Sequence, residues 1–417
     1  TRLDASGNPV ETTRTERDDS GRPLTISKQR YQDGQPAPAQ WRVRYEYAAG
    51  AGAGPTLIAR PGVVAGKESL TRITYNAAGQ ALTLTESGWS PPTGDNGTPT
   101  PITRTTRYRY TRLNGRSLLA EIDGPLANGP AGSPLDSDIT QFHYDGRGNF
   151  LVEVVAPGNQ ITRITERDPA GRPKKILTAT GITVDYDTDL AGHFTRVTRD
   201  GLSEFFSYNA LGQLTGAVRA SGQKLAMRYG ADGRITDLSD VQGNRIQLQR
   251  DTEGTLLARI LVNPDGSIAQ KTNLSLLDIE ADRKPDNRQN DGVHDLIFAA
   301  DNTVTRFQYE QDNRLARITN ARHHQTGQLH DDFGRLVRVD SPDGGVTVLA
   351  YDAADQLVSK SIGQGAPIRY HHDVAGRLIG QGTAEGDTRI IYGQQGRPIR
   401  ITYPAGEEQF GYDTGAR

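Results

Sequence analysis

Cysteine is absent from all 417 residues. Its absence excludes disulfides, thiolate-held zinc and a cysteine nucleophile. It leaves the compartment open, because a cysteine-free chain tolerates reducing and oxidising surroundings alike. Aromatic residues are scarce, at 6%, and the mean hydropathy is −0.61. With glycine counted and tyrosine left out, the apolar share is about 42%, a little under that of ordinary globular domains. Such a composition suits a sheet with much of both faces wet better than a thick two-layer sandwich. Neither sign of charge prevails: 48 Lys and Arg face 50 Asp and Glu, with a pI near 6.5. No electrostatic footprint for nucleic acid or an anionic membrane follows from that balance. No apolar run approaches membrane-spanning length. Long helical patterns are missing too, since Gly, Pro or Asx residues break every candidate stripe. The opening residues Thr1-Arg2-Leu3-Asp4 and the closing Tyr412-Asp413-Thr414-Gly415 both read as the middle of a repeat. No signal-peptide apolar region is present at the start, and the expectation is a piece of a longer protein.

Glycine, at 47 residues, is abundant and placed with a period. The stretch Tyr208-Asn209-Ala210-Leu211-Gly212-Gln213-Leu214 returns as Tyr229-Gly230-Ala231-Asp232-Gly233-Arg234-Ile235. It returns again around Asp331 to Arg335, Asp352 to Gln356, Asp373 to Arg377 and Gly393 to Arg397. The pattern is aromatic, Asp or Asn, two variable residues, Gly, Arg or Gln, then an aliphatic residue or Pro. Its pivot glycine, or a stand-in, recurs every ~21 residues, which signals a repeat architecture. A second turn falls midway, as at Asp200-Gly201, Ser221-Gly222, Gln242-Gly243 and Asp343-Gly344-Gly345. Between turns lie runs of roughly 5 to 8 residues rich in Thr, Ile, Val, Tyr and Arg, the length and composition of strands. The unit is therefore strand, turn, strand, turn, and the fold class is all-β, a repetitive antiparallel hairpin meander.

The repeated residues have physical work to do in such a turn. The Asp or Asn accepts hydrogen bonds from backbone N–H groups about two residues on. The glycine takes the left-handed position that follows. The Arg reaches back to the Asp, and the Tyr is expected to stack on its equivalent in the next hairpin. These roles are structural, and recurrence favours a shared folding role over catalysis at any one copy.

The whole chain, 1–417, reads as one array. Residues 1–140 carry degenerate repeats interrupted by Gly/Pro-rich stretches at 50–66, 87–101 and 123–136, which are read as tolerated surface insertions. Repeats run cleanly over 141–260, a charged insertion occupies 271–303, and the rhythm resumes over 305–417.

Other constellations were weighed against that frame. His323-His324, His330 and His371-His372 resemble metal ligands in kind. A doublet in a strand points to opposite faces, however, and two of these His replace the motif aromatic, so no metal site is assigned. Trp41 and Trp89 lie in or beside insertions and suit loop packing better than sugar stacking. No G-x-S-x-G, H-E-x-x-H or Walker sequence occurs. The expectation is no catalytic, cofactor-binding or metal-binding residue, and no enzyme.

With its motif in this form, the chain resembles the RHS/YD-repeat family: shells of bacterial polymorphic toxins, the related shells of insecticidal toxin complexes, and the YD shells of teneurins. The resemblance covers essentially the whole chain and is strongest over 141–260 and 305–417. It implies a meander that spirals into a hollow shell, or part of one, around a C-terminal toxin domain. It further implies a non-enzymatic encapsulating role in a secreted effector of interbacterial competition. That effector would be made in the bacterial cytoplasm and delivered by a secretion system such as type VI. The partners implied are the enclosed toxin domain and secretion spike or chaperone proteins, with no nucleic acid. An adhesion or carbohydrate-binding surface protein is the alternative. Family shells pair two Asp-Pro-X-Gly elements for self-cleavage. Here Asp168-Pro169-Ala170-Gly171 stands alone, with Arg172 after it, and Asp189-Leu190-Ala191-Gly192 lacks the Pro. Both are read as ordinary turns.

Overall fold

The computed structural model describes residues 2–3, 9–32, 35–48, 54–94, 97–250, 254, 256–273, 293–298, 304–310, 314–393 and 396–412. At 2–3, 9–10, 30, 32, 37–41, 273, 293–298 and 304 it describes the backbone alone. Among the described residues there are 34 strands and no helix. Each strand pairs antiparallel with its neighbours in sequence, giving one continuous meander. The run Leu202–Tyr208, Leu214–Val218 and Lys224–Tyr229 is representative.

Register sorts the side chains onto two unlike faces, because successive residues in a strand point to opposite sides. One face carries ion pairs between neighbouring strands, such as Arg109–Glu121, Arg163–Glu153 and Arg196–Asp187, and one that spans an intervening strand, Arg42–Glu16. The other carries aliphatic pairs, such as Ile26 opposite Val43 and Ile73 opposite Leu84. At the end of each pivot strand the register slips at the motif aromatic, between Ser207 and Tyr208, Arg228 and Tyr229, and Ala350 and Tyr351. A bulge of this kind turns a side chain out of the ladder, and here it frees the Tyr to reach along the sheet edge.

No second layer covers this sheet. Only ten apolar residues among those described are fully buried, Val43, Val184 and Val197 among them. The accessible surface is 25304 Å², whereas a compact monomer of this mass exposes about 16,000 Å².

The wall coils. The turn at Gly158 lies against Ala375, and the turn at Gly396 lies near Thr180. In each case the two turns belong to hairpins nineteen strands apart. Nineteen is odd, so turns from one edge of the meander meet turns from the opposite edge, as stacked coils of a spiral require. Nineteen strands at the usual spacing make ~90 Å of sheet per coil and a ring about 30 Å across between backbones. Closed sheets of 16 or more strands leave an open bore, so this coil is hollow.

Candidate functional site: the seam between coils

Each pivot turn closes through its own Asp. Asp331 Oδ1 accepts the N–H groups of Phe333 and Arg335, both at 3.0 Å. The Arg335 side chain donates to Oδ2 through Nε at 2.7 Å and sits at 2.7 Å through Nη2. Asp18–Arg22, Asp168–Arg172 and Asp373–Arg377 repeat this geometry with Nε–Oδ2 distances of 2.7, 2.6 and 2.7 Å. Where the chain writes Asn and Gln instead, the Asn amide donates to the Gln oxygen, at 3.0 Å for Asn76–Gln80 and 2.7 Å for Asn209–Gln213. Gly212 and Gly334 hold φ of 77° and 84°, the left-handed region glycine enters at no steric cost. At the 352–356 pivot, which has no glycine, Asp355 takes φ 63° instead.

The tyrosines depart from the expected Tyr–Tyr ladder. The Tyr351 hydroxyl donates to Leu336 O at 2.9 Å, Tyr229 to Leu214 O at 2.7 Å, and Tyr392 to Leu378 O at 2.9 Å. The rings of Tyr351 and Tyr392 lie under the Arg of the preceding pivot. Arg22 sits 4.4 Å from the Tyr47 ring centre, Arg377 4.8 Å from Tyr392, and Arg397 5.1 Å from Tyr412. His193 takes the Arg place and stacks on Tyr208 at 4.7 Å. A guanidinium over a ring face gains a cation–π attraction that two tyrosines lack, so the edge ladder alternates Arg and Tyr.

The seam proper is where the 331–357 turns meet the first coil. Asp332 is its centre. Its carboxylate accepts the N–H of Val63 and of Trp89, both at 2.7 Å, and its own N–H donates to Trp89 O at 3.0 Å. Gly62 and Gly88 make room for it: a Cβ on Gly88 would stand 2.4 Å from the Asp332 Cβ. Burial raises the Asp332 carboxyl above its ordinary value, against the two N–H bonds and the charge of Arg314, while Asp331 adds to the rise. Arg104 bridges Glu86 at 2.7 Å and Asp355 at 2.6 Å, with its guanidinium 4.4 Å from the Phe333 ring centre. Arg338 donates to Thr93 O at 2.6 Å. Beside the seam, burial also raises Asp138, with the charges of Asp123 and Asp352 adding and the Leu126 N–H opposing.

The seam corrects the reading of the insertions as tolerated surface loops. Gly62 and Val63 come from the first insertion, and Trp89 and Thr93 from the second, so these two form one lip of the seam. In the third, Pro134 O accepts the Asn159 N–H at 2.9 Å, tying that loop across neighbouring strands. The partners of the first two lie more than 200 residues away, which local composition cannot reveal. The charged insertion has only its flanking strands Ile268–Asn273 and Val293–Phe298 described, and 274–292 lies outside the described residues.

The remaining candidates resolve one by one. The His323-His324 doublet is in a turn, with His323 at φ 63°, and not in a strand. No group of three or more His, Cys, Asp or Glu able to hold a metal occurs among the described residues. Asp168 is fully engaged by Ala170 N–H, Arg172 N–H and the Arg172 side chain. Desolvation pushes its carboxyl up, but the Arg172 bonds outweigh it and the net shift is downward. Asp189 holds His193 in the same way at 2.9 Å. Both elements are turns, as expected. Lys67 caps the Trp89 ring, with its Nζ 4.5 Å from the ring centre, so a stacking sugar would have to displace it. The Trp41 side chain lies outside the described residues. A shallow cavity of about 460 Å³ lies over Phe205, Gly216, Ala226 and Ser239. It holds no catalytic constellation.

A coiled single-layer sheet, sealed edge to edge by a repeated Asp-to-Arg turn, defines a β-repeat wall. The RHS Repeat family model matches residues 330–366 and 351–388, the hairpins that carry the seam, so this part of the chain is built of RHS repeats. It is 26% identical over 247 residues to double-stranded DNA deaminase toxin A of Burkholderia cenocepacia (strain H111). That match takes in 53% of this chain and 17% of the relative. The crystal structure of TcdB2-TccC3 superposes with a TM-score of 0.50 at 14% identity, over 98% of this chain and 27% of that one. The Photorhabdus luminescens Tc holotoxin pore with a TccC3 mutation aligns at 0.48 and 14%, again over 98% and 27%. The chain thus spans about a sixth of the curated relative and about a quarter of the solved chains. The structural likeness establishes the fold.

Proposed function

We propose that this chain is a non-catalytic segment of the wall that encloses the C-terminal toxic domain of a secreted bacterial toxin. The observation that carries the reading is the hollow coil whose facing edges are sealed by a built seam. A rod-shaped adhesin has no use for contacts between one coil and the next, whereas a container must close them. The mechanism is steric: a closed wall keeps a toxic polypeptide from the producing cell and from proteases until delivery through a secretion system. Residues 1–140, 141–260 and 305–417 act as consecutive stretches of one wall, with 271–303 a charged insertion in it, and not as separate domains. The toxin named in the curated relative supports cargo of that general kind. The spike or chaperone that would load it belongs to the same proposal.

The test is limited proteolysis of the full-length natural product. Sequence C-terminal to Arg417 should resist protease while the wall is folded, and should be digested once urea opens it. Equal digestion before and after unfolding of the wall would overturn the container reading. The radius of gyration is a poor substitute: two stacked coils of this diameter and a compact globule of 417 residues both come out near ~22 Å.

A further inference from the structure

We infer that the wall opens along the seam between coils, with its strands still paired, and that Asp332 is the latch that holds it shut. Among the described residues, five hydrogen bonds join one coil to the next. They are Val63 N–H and Trp89 N–H to the Asp332 carboxylate, Asp332 N–H to Trp89 O, Arg104 to Asp355, and Arg338 to Thr93 O. Three of the five pass through one residue. Further along the seam, the turn at Gly158 lies against Ala375 and the turn at Gly396 lies near Thr180.

Within a coil the situation is the reverse. Leu202–Tyr208 and Leu214–Val218 are paired at four residue positions, and Arg245–Arg250 with Leu256–Val262 at six. Separating any such pair means breaking a backbone ladder and exposing its donors and acceptors. Parting the coils along the seam leaves every such ladder intact and lets a ring about 30 Å across relax into an open ribbon. The latch is also shaped for one occupant. Gly62 and Gly88 bring two backbone N–H groups to a point that a carboxylate fills, and any side chain at Gly88 would collide with Asp332. The role in releasing enclosed cargo rests on the container reading; the opening itself does not.

The experiment is hydrogen exchange on this chain, comparing the natural protein with D332N and with D332N carrying Gly158→Cys and Ala375→Cys. Asn keeps the shape but offers one acceptor oxygen where two N–H groups need two. The cysteine pair staples the seam far along the chain from the latch. The Gly158 Cβ would stand 3.2 Å from the Ala375 Cβ, a few tenths of an ångström short of the roughly 3.5–4.5 Å of natural disulfides, and no other cysteine exists to compete. D332N should speed exchange at the Val63, Trp89 and Asp332 amides by about tenfold or more, leaving the Leu202–Tyr229 strand amides unchanged. The oxidised staple should return those three amides toward natural protection, and reduction should reverse it. If the staple leaves the three amides as fast as in D332N alone, opening at the latch is local and the inference fails. If strand amides speed up together with the latch, the wall unfolds and does not part, and it fails equally. Neither failure touches the proteolysis test of the container.

Discussion

The pivot at 331–335 permits a test in which the chain supplies its own control. Asp331 is completely buried, and the Arg335 side chain is 12% exposed. The guanidinium also donates to Asp352 O at 2.8 Å and sits 3.3 Å from Asp355. Substituting Arg335→Gln leaves the Asp331 carboxylate buried with one of its oxygens facing an amide that cannot neutralise it. Breaking a buried pair from one side costs about 3–5 kcal/mol, and the lower end applies because the Phe333 and Arg335 N–H groups stay on Oδ1. The chain already tolerates Asn with Gln at 76/80 and 209/213, where the two amides bond directly. Asp331→Asn with Arg335→Gln should therefore recover stability to within about 1 kcal/mol, the worth of one neutral hydrogen bond. The equivalent Arg377→Gln, at a pair 33% and 20% exposed, should cost under about 1 kcal/mol. The assay is urea unfolding followed by Trp89 fluorescence in a Trp41→Phe background, since Trp89 contacts the adjoining Asp332. Long repeat arrays unfold piecewise, so a local probe is required. A double variant no more stable than R335Q alone would refute the charge reasoning, as would equal losses at 335 and 377.

Tyr351→Phe removes one hydroxyl bond to Leu336 O and should cost about 0.5–1.5 kcal/mol in the same fluorescence titration; a null result would mean the ring contact alone matters. Gly334→Ala should cost about 1–2 kcal/mol from its positive φ. Nothing lies within 4 Å of that Cβ, whereas a Cβ at Gly212 would meet His193 at 2.9 Å, so Gly212→Ala should be the worse of the two by thermal unfolding. Acid should act on the turns. The carboxyls of Asp168, Asp189 and Asp240 lie below their ordinary value, so their stabilisation is present above an unfolded value near 3.8 and is lost as pH falls through the lowered ones. Exchange at Ala170, corrected for intrinsic rate, should quicken only below that value, and quickening well above it would contradict the assignment.

The sequence by itself determined whatever is local. A turn needs its acceptor, its left-handed residue and its clamp within five positions, so Asp331 to Arg335 could be read as a unit, and the ~21-residue period followed. Two-residue alternation likewise separates Ile73 from its neighbours Arg72 and Thr74. The doublet His323-His324 was misread because a midway turn without glycine looks like strand when judged by composition. Only the tertiary structure decided which of several identical turns would be buried. Asp18 and Asp331 carry the same local bonds, yet one is wet and the other sealed, because the number of strands per coil sets which turn meets the first coil. That number comes from accumulated twist and curvature over nineteen strands, a quantity no short stretch encodes. The same geometry brought Asp332 to Val63 and Trp89 across more than 240 residues, and made a latch from loops that read as insertions.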